Sequence, residues 1–226
     1  PETLHFYLET VKQSMKENQQ MKVLIIQNTL GYPSEVEAIA NFCKEKGIVL
    51  IEDLAHAIGA TYTSGIEAGT VGDFTILSFS QDKVVDGISG GALIIRNNKF
   101  AASTKKAHLV TVPSNRQQID RWYPFFTYLI RKTYRSGIGK LMHVLLKRLR
   151  LLSNPMQNEN ALHILPAWYC GVIYIELVRL SKSLEHRRKI SAVYVKYLDK
   201  RFKFSVLTAL IPQSVNTCIA AFSGDM

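Results

Sequence analysis

Two residues of this chain have the types and positions for covalent chemistry. Lys83 follows the strand-like run Phe74-Thr-Ile-Leu-Ser-Phe-Ser80, and Asp53 ends the apolar run Ile48-Val-Leu-Ile-Glu-Asp53. In open α/β sheets, ligands bind just beyond the carboxyl ends of the strands. A lysine placed there can form a Schiff base with an aldehyde, and an acid there can keep a pyridine ring nitrogen protonated. Pyridoxal phosphate chemistry needs both. Each residue alone has a plainer reading: a solvated turn lysine, and a strand-end aspartate that caps a turn or helix.

The elements that must position this pair are legible in outline. Lys22-Val-Leu-Ile-Ile-Gln27 is a short apolar run consistent with a buried parallel strand. After the break at Gly31-Tyr-Pro33, Ser34 and Glu37 have the spacing of a capping box. Val36, Ile39, Ala40 and Cys43 then share one helical face, and Gly47 is the stop. With the strand that follows, this is a βαβ unit with a right-handed crossover. Residues 54–73 read as loop and short helix, punctuated by Gly59, Gly65, Gly69 and Gly72. A strand at 74–80, a turn carrying Asp82 and Lys83, the pair Gly90-Gly91, a strand at 92–96 and a polar helical stretch to about His108 complete this half. The expected class is α/β, a mostly parallel sheet with helices on both faces.

Charge divides the chain. Its net +10 is made of −6 over residues 1–95, +12 over 96–150 and +4 over 151–226. Asp120 is the single acid of the middle part. There, residues 137–152 place Ile138, Leu141, Met142, Leu145, Leu146 and Leu149 on one helical face, with Lys140, Lys147, Arg148 and Arg150 mostly off it. The aromatic segment Trp122-Tyr-Pro-Phe-Phe-Thr-Tyr128 precedes this basic amphipathic helix. A long helix is expected over 167–200, and strands at 202–207 and 217–222. Three widely spaced cysteines, Cys43, Cys170 and Cys218, form neither a disulfide framework nor a metal-ligand pattern, which fits a reducing compartment. The first residues lack a signal-peptide pattern, and no apolar run reaches the roughly 18 residues that span a bilayer.

Several segments in order resemble the DegT-type (DnrJ/StrS-like) nucleotide-sugar aminotransferases. They are Glu52-Asp-Leu-Ala-His56, Ala57-Ile-Gly-Ala60, Ala68-Gly-Thr-Val-Gly-Asp73, Ser78-Phe-Ser-Gln-Asp-Lys83 and Gly90-Gly91. Glu185-His-Arg-Arg188 and Tyr194-Val-Lys-Tyr-Leu198 are similar to the family's final helix. The resemblance implies fold type I, pyridoxal 5'-phosphate as cofactor, and amination of a nucleotide-linked keto sugar by an amino-acid donor such as glutamate. It implies Lys83 as the Schiff-base lysine, Asp53 as partner of the pyridine nitrogen, His56 near the ring and its phenolic oxygen, and Ser78 as a phosphate ligand. A cytoplasmic homodimer, with each site completed by the partner chain, is the implied assembly.

The chain departs from that family in three ways. Asn28 stands where a histidine is frequent, an upstream Gly-Thr phosphate turn has no counterpart, and the C-terminal domain is incomplete. The expected organisation is therefore an internal piece of a longer protein. Residues 1–110 belong to the cofactor-binding α/β domain, 111–160 form a basic, aromatic helical insertion, and 161–226 begin the small C-terminal domain. The basic segment has three readings: a helix packed on the body, a lure for a nucleotide-sugar diphosphate, or a membrane-surface helix through 137–152. No nucleic-acid reader motif accompanies the charge. Lys83 argues against the dehydratases of the family, which carry histidine there. The alternatives are another fold-type I reaction, such as carbon–sulfur cleavage, and a degenerate fragment acting as an interaction or membrane-surface module.

Overall fold

The structure, a computed structural model, describes residues 6–31, 35–81, 83–105, 107–152 and 162–197. Helix α1 (Leu8–Glu17) leads to strand β1 (Val23–Gln27), helix α2 (Val36–Lys46) and strand β2 (Val49–Asp53). Strands β3 (Phe74–Ser78) and β4 (Gly91–Ile95) follow. The four strands lie side by side in chain order. β1, β2 and β3 are parallel, and β4 runs antiparallel to β3.

Alternation along β2 explains how the sheet is covered. Leu50 and Glu52 point to one face and are buried, as is Ile26 opposite Glu52 on β1. That face joins Val36, Ile39 and Cys43 of α2 and Val11 of α1 in the main apolar cluster. Val23, Ile25 and Leu93 belong to the opposite face and stay exposed. Asp53, one residue on from Glu52, shares that second face by the period of two.

Differences from the sequence reading have local causes. The N-cap of α2 is Glu35, which makes no side-chain cap. Ser34 lies outside the described residues, and Glu37 bonds the Ser64 hydroxyl instead of the helix start. Gly47 does stop α2, in the left-handed conformation with φ 67°. The polar stretch before His108 yields only a 3-10 turn (Asn98–Phe100) and the one-turn helix α3 (Ala101–Thr104). Beyond it stand β5 (Leu109–Thr111), α4 (Ser114–Lys132), α5 (Ile138–Arg148) and β6 (Leu162–Ile164). β5 and β6 pair in parallel as a separate two-stranded sheet.

The long terminal helix is two helices, α6 (Ala167–Val178) and α7 (Leu180–Tyr197), which meet at Arg179. The break lets them serve two cores. Tyr169 and Ile173 of α6 pack with Phe79 and Val85, while Leu184 of α7 joins the main cluster. Both strands expected beyond residue 200 lie outside the described residues.

Candidate active site

Parallel pairing brings the carboxyl ends of β2 and β3 together. Asp53 is in register with Ile76, and the Leu54 N–H donates to the Ile76 carbonyl at 2.9 Å. The chain then turns tightly, with Ala57 N donating to the Leu54 carbonyl at 3.0 Å, and this turn carries His56. After β3, Lys83 N donates to the Ser80 carbonyl at 3.3 Å. The two turns meet where Lys83 Nζ lies 2.8 Å from His56 Nε2. Which nitrogen donates in this hydrogen bond depends on the histidine tautomer.

Asp53 Oδ1 accepts from Ala55 N at 2.9 Å, which is the turn-capping role. Oδ2 accepts no hydrogen bond among the described residues. Ser78 Oγ lies 3.2 Å from Ser80 Oγ, a pair of hydroxyls just before the lysine turn. Sequence reasoning had marked Ser78 and passed over Ser80. Asp82 lies outside the described residues.

The glycine pair shapes the approach to this end of the sheet. Gly90 has φ 103°, and a Cβ there would meet Leu165 Cδ1 at 2.6 Å. A Cβ on Gly91, which pairs with Ser78, would sit 2.6 Å from the Leu77 carbonyl oxygen. A cavity of about 210 Å³ opens beside this pair, lined by Arg116, His163 and Tyr169 among others, and not by Lys83 or Asp53.

Beneath the candidate site is a buried anchor that the sequence did not reveal. Glu52 is 0% exposed. Its Oε2 accepts from the Tyr62 hydroxyl at 2.5 Å and Gly69 N at 2.7 Å, and its Oε1 from Val71 N at 2.8 Å and Gly72 N at 2.5 Å. Gly72 is needed for this approach, since a Cβ there would lie 2.9 Å from the Leu50 carbonyl oxygen. The Gly69 carbonyl in turn accepts from Thr75 Oγ1 and Arg96 Nε at 2.5 and 2.9 Å. Burial, reinforced by the Glu52 charge, pushes the Tyr62 phenol well above its usual range.

Asn28 belongs to the same network, donating from Nδ2 to the Tyr62 oxygen at 3.1 Å. Fully buried, it ties the end of β1 to this anchor. Asp73 is a turn anchor, accepting from Leu50 N at 3.0 Å and from Asn97 Nδ2 at 2.7 Å. Cys43 faces the core, where burial and then the Asp73 charge push its thiol up to about 11, so it stays protonated at neutral pH.

Residues 1–128 match the model of the DegT/DnrJ/EryC1/StrS aminotransferase family. The chain belongs to this family, whose aminotransferases depend on pyridoxal phosphate. Among its relatives is a dTDP-4-dehydro-2,3,6-trideoxy-D-glucose 4-aminotransferase of Saccharopolyspora spinosa, 36% identical over 108 residues, which are 48% of this chain and 26% of the relative. A UDP-4-amino-4,6-dideoxy-N-acetyl-beta-L-altrosamine transaminase of Campylobacter jejuni is 26% identical over 193 residues, 85% of this chain and 42% of the relative. Helicobacter pylori PseC, an aminotransferase of pseudoaminic acid biosynthesis, shares the fold with a TM-score of 0.58 at 14% identity, over 88% of this chain and 45% of PseC. The chain thus spans less than half the length of each of these relatives. The fold is that of the fold-type I aminotransferases, as the resemblance implied. Among the described residues no helix is long and apolar enough to cross a membrane.

Proposed function

We propose that the protein takes part in pyridoxal-phosphate-dependent transamination of a nucleotide-linked keto sugar. Lys83 is the covalent anchor of the cofactor, and Asp53 the partner of its ring nitrogen. The observation that carries this reading is the 2.8 Å contact between Lys83 Nζ and His56 Nε2 at the strand end that also bears Asp53. The contact sets a proton donor and an acceptor within hydrogen-bond distance beside that strand end.

The available groups fit such a cofactor. Asp53 keeps one oxygen outside the turn it caps, the Ser78 and Ser80 hydroxyls are suitable donors to phosphate oxygens, and Lys83 is half-buried. When bound, pyridoxal phosphate supplies an aldehyde that amines can attack and a pyridinium that accepts electrons. With the cofactor bound, Lys83 Nζ would be the group that holds and moves a proton beside it. His56 Nε2 takes up or returns a proton at Lys83 Nζ and fixes where that amine points. Asp53 favours the protonated ring nitrogen by its negative charge.

In this reading residues 1–110 are part of the cofactor-binding domain, 111–160 an insertion, and 161–226 the start of the small domain. A nucleotide sugar and glutamate are the substrate and donor, and the full-length form is a homodimer. The test is reductive trapping: pyridoxal phosphate and borohydride are added to the full chain, and labelled peptides are mapped by mass spectrometry. Labelling should concentrate on Lys83 and vanish in Lys83→Ala. Label scattered over surface lysines, with none preferred, would replace this reading by that of a fold that has lost catalysis.

A further inference from the structure

The helix pair α4 and α5 exposes more apolar surface than its own packing uses. Its close contact is made by Gly139, where a Cβ would lie 2.2 Å from the Ile130 carbonyl oxygen and 2.9 Å from Tyr134 N. Leu146 is buried and Met142 half-buried, so α5 has an inward face. The rest of its apolar stripe points out: Ile138, Leu141, Val144, Leu145 and Leu149 are 53 to 72% exposed. α4 adds exposed Trp122, Phe125 and Tyr128. The sequence reading in which the stripe packs on the body fits Leu146 and Met142 alone.

The exposed charge of α4 and α5 is of one sign. Lys140, Lys147, Arg148 and Arg150 are exposed on or beside α5, and Arg131 and Lys132 end α4. The single acid between residues 114 and 150, Asp120, is 0% exposed and bonded to the Tyr169 hydroxyl at 2.5 Å. Nothing negative on these helices offsets the cations outside.

We infer that the outward face of α5, together with the exposed aromatics of α4, docks on the surface of an anionic phospholipid bilayer. An apolar stripe with basic flanks and nearby Trp and Tyr is what the boundary of headgroups and acyl chains accepts. An 11-residue helix, about 16 Å long, lies on such a surface and cannot cross it. A second copy of the chain suits the face poorly, because a self-complementary contact would bring the same cations together. A bilayer with negative headgroups satisfies stripe and cations at once.

Co-sedimentation of the full chain with vesicles of phosphatidylcholine alone, or mixed with phosphatidylglycerol, tests this. Binding should need the anionic lipid and fall as NaCl rises from about 0.1 to 1 M, where the screening length drops from about 10 to 3 Å. Lys147→Ala should weaken partitioning about five-fold, the worth of one basic residue near an anionic surface. Leu141→Glu should weaken it about ten-fold or more. Both side chains are exposed, so circular dichroism should show the fold unchanged in each variant. Equal binding to both kinds of vesicle, no binding to either, or indifference to Leu141→Glu would overturn the inference. A concentration-dependent dimer, seen by light scattering and dispersed by Leu141→Glu while vesicles bind nothing, would overturn it in favour of self-association.

Discussion

Replacing Glu52 by glutamine keeps the side chain's shape and exchanges one acceptor oxygen for a donor. All four hydrogen bonds at Glu52 arrive from donors: one phenol and three backbone N–H groups. Whichever way the amide is turned, its NH₂ must face at least one N–H, at Gly69 or at Val71 and Gly72. That N–H is left buried without an acceptor, which costs about 1–3 kcal/mol. The remaining bonds lose charge assistance, which roughly halves each of them. Together these give a loss of about 3–5 kcal/mol, a large part of the stability of an ordinary domain. Urea unfolding followed by circular dichroism reads it directly. With a slope of about 2 kcal/mol/M, the midpoint should fall by roughly 1.5–2.5 M. Tyr62→Phe removes one donor to Glu52 and the acceptor of Asn28 Nδ2 but leaves the three backbone bonds, so its loss should be smaller, about 1–3 kcal/mol. Glu52 adjoins Asp53, so Glu52→Gln should also reduce trapping of pyridoxal phosphate at Lys83. If the Glu52→Gln midpoint stays within what 1 kcal/mol would produce, the loop at 67–73 is held by something else and the reasoning fails.

Two further perturbations probe other parts of the molecule. Gly139→Ala puts a Cβ against the Ile130 carbonyl oxygen and should destabilise the α4–α5 contact by about 1–3 kcal/mol, seen as faster proteolysis at the turn between these helices. The Cys43 thiol, raised from 9.0 to about 11, and the Tyr62 and Tyr169 phenols, raised above their ordinary 10.0, all keep protons in the folded state that the unfolded chain releases. Their stabilising contribution is complete below the unfolded values and is lost as pH rises toward the folded ones. For Cys43 the slope should approach about 1.4 kcal/mol per pH unit between the two values. Cys43→Ala should flatten that part of a profile of urea midpoints against pH. An unchanged slope would mean that the thiol ionises in the folded protein as it does in the unfolded one.

The β1–α2–β2 unit could be read from sequence because buried parallel strands are short apolar runs and α2 shows a clear apolar face. Lys83 was legible as a candidate because a residue type with chemistry stood just after such a run, and His56 through the resemblance to the family. Their direct contact was not, since it depends on how two turns fold over adjacent strand ends. Glu52 was passed over for a physical reason: its partners are mostly backbone N–H groups 17 to 20 residues away, and those leave no mark on side-chain pattern. β5 and β6 are three residues each and pair across more than fifty positions, too short for periodicity to register. The stripe of α5 shows the converse limit. Periodicity of 3.6 reveals that a helix has an apolar face, and nothing in it says whether another part of the same chain covers that face.

Spatial order in the main sheet repeats order along the polypeptide, each strand lying beside its predecessor. His56 and Lys83 are accordingly brought together by closing a loop of 27 residues, at a modest entropic cost. Neighbour-on-neighbour topologies form quickly, because few distant segments must find one another first. The turns that carry the imidazole and the amine are nevertheless complete only once α6 and α7 are in place, since Val85 packs with Tyr169 and Ile173, and Leu184 lies against Gly59.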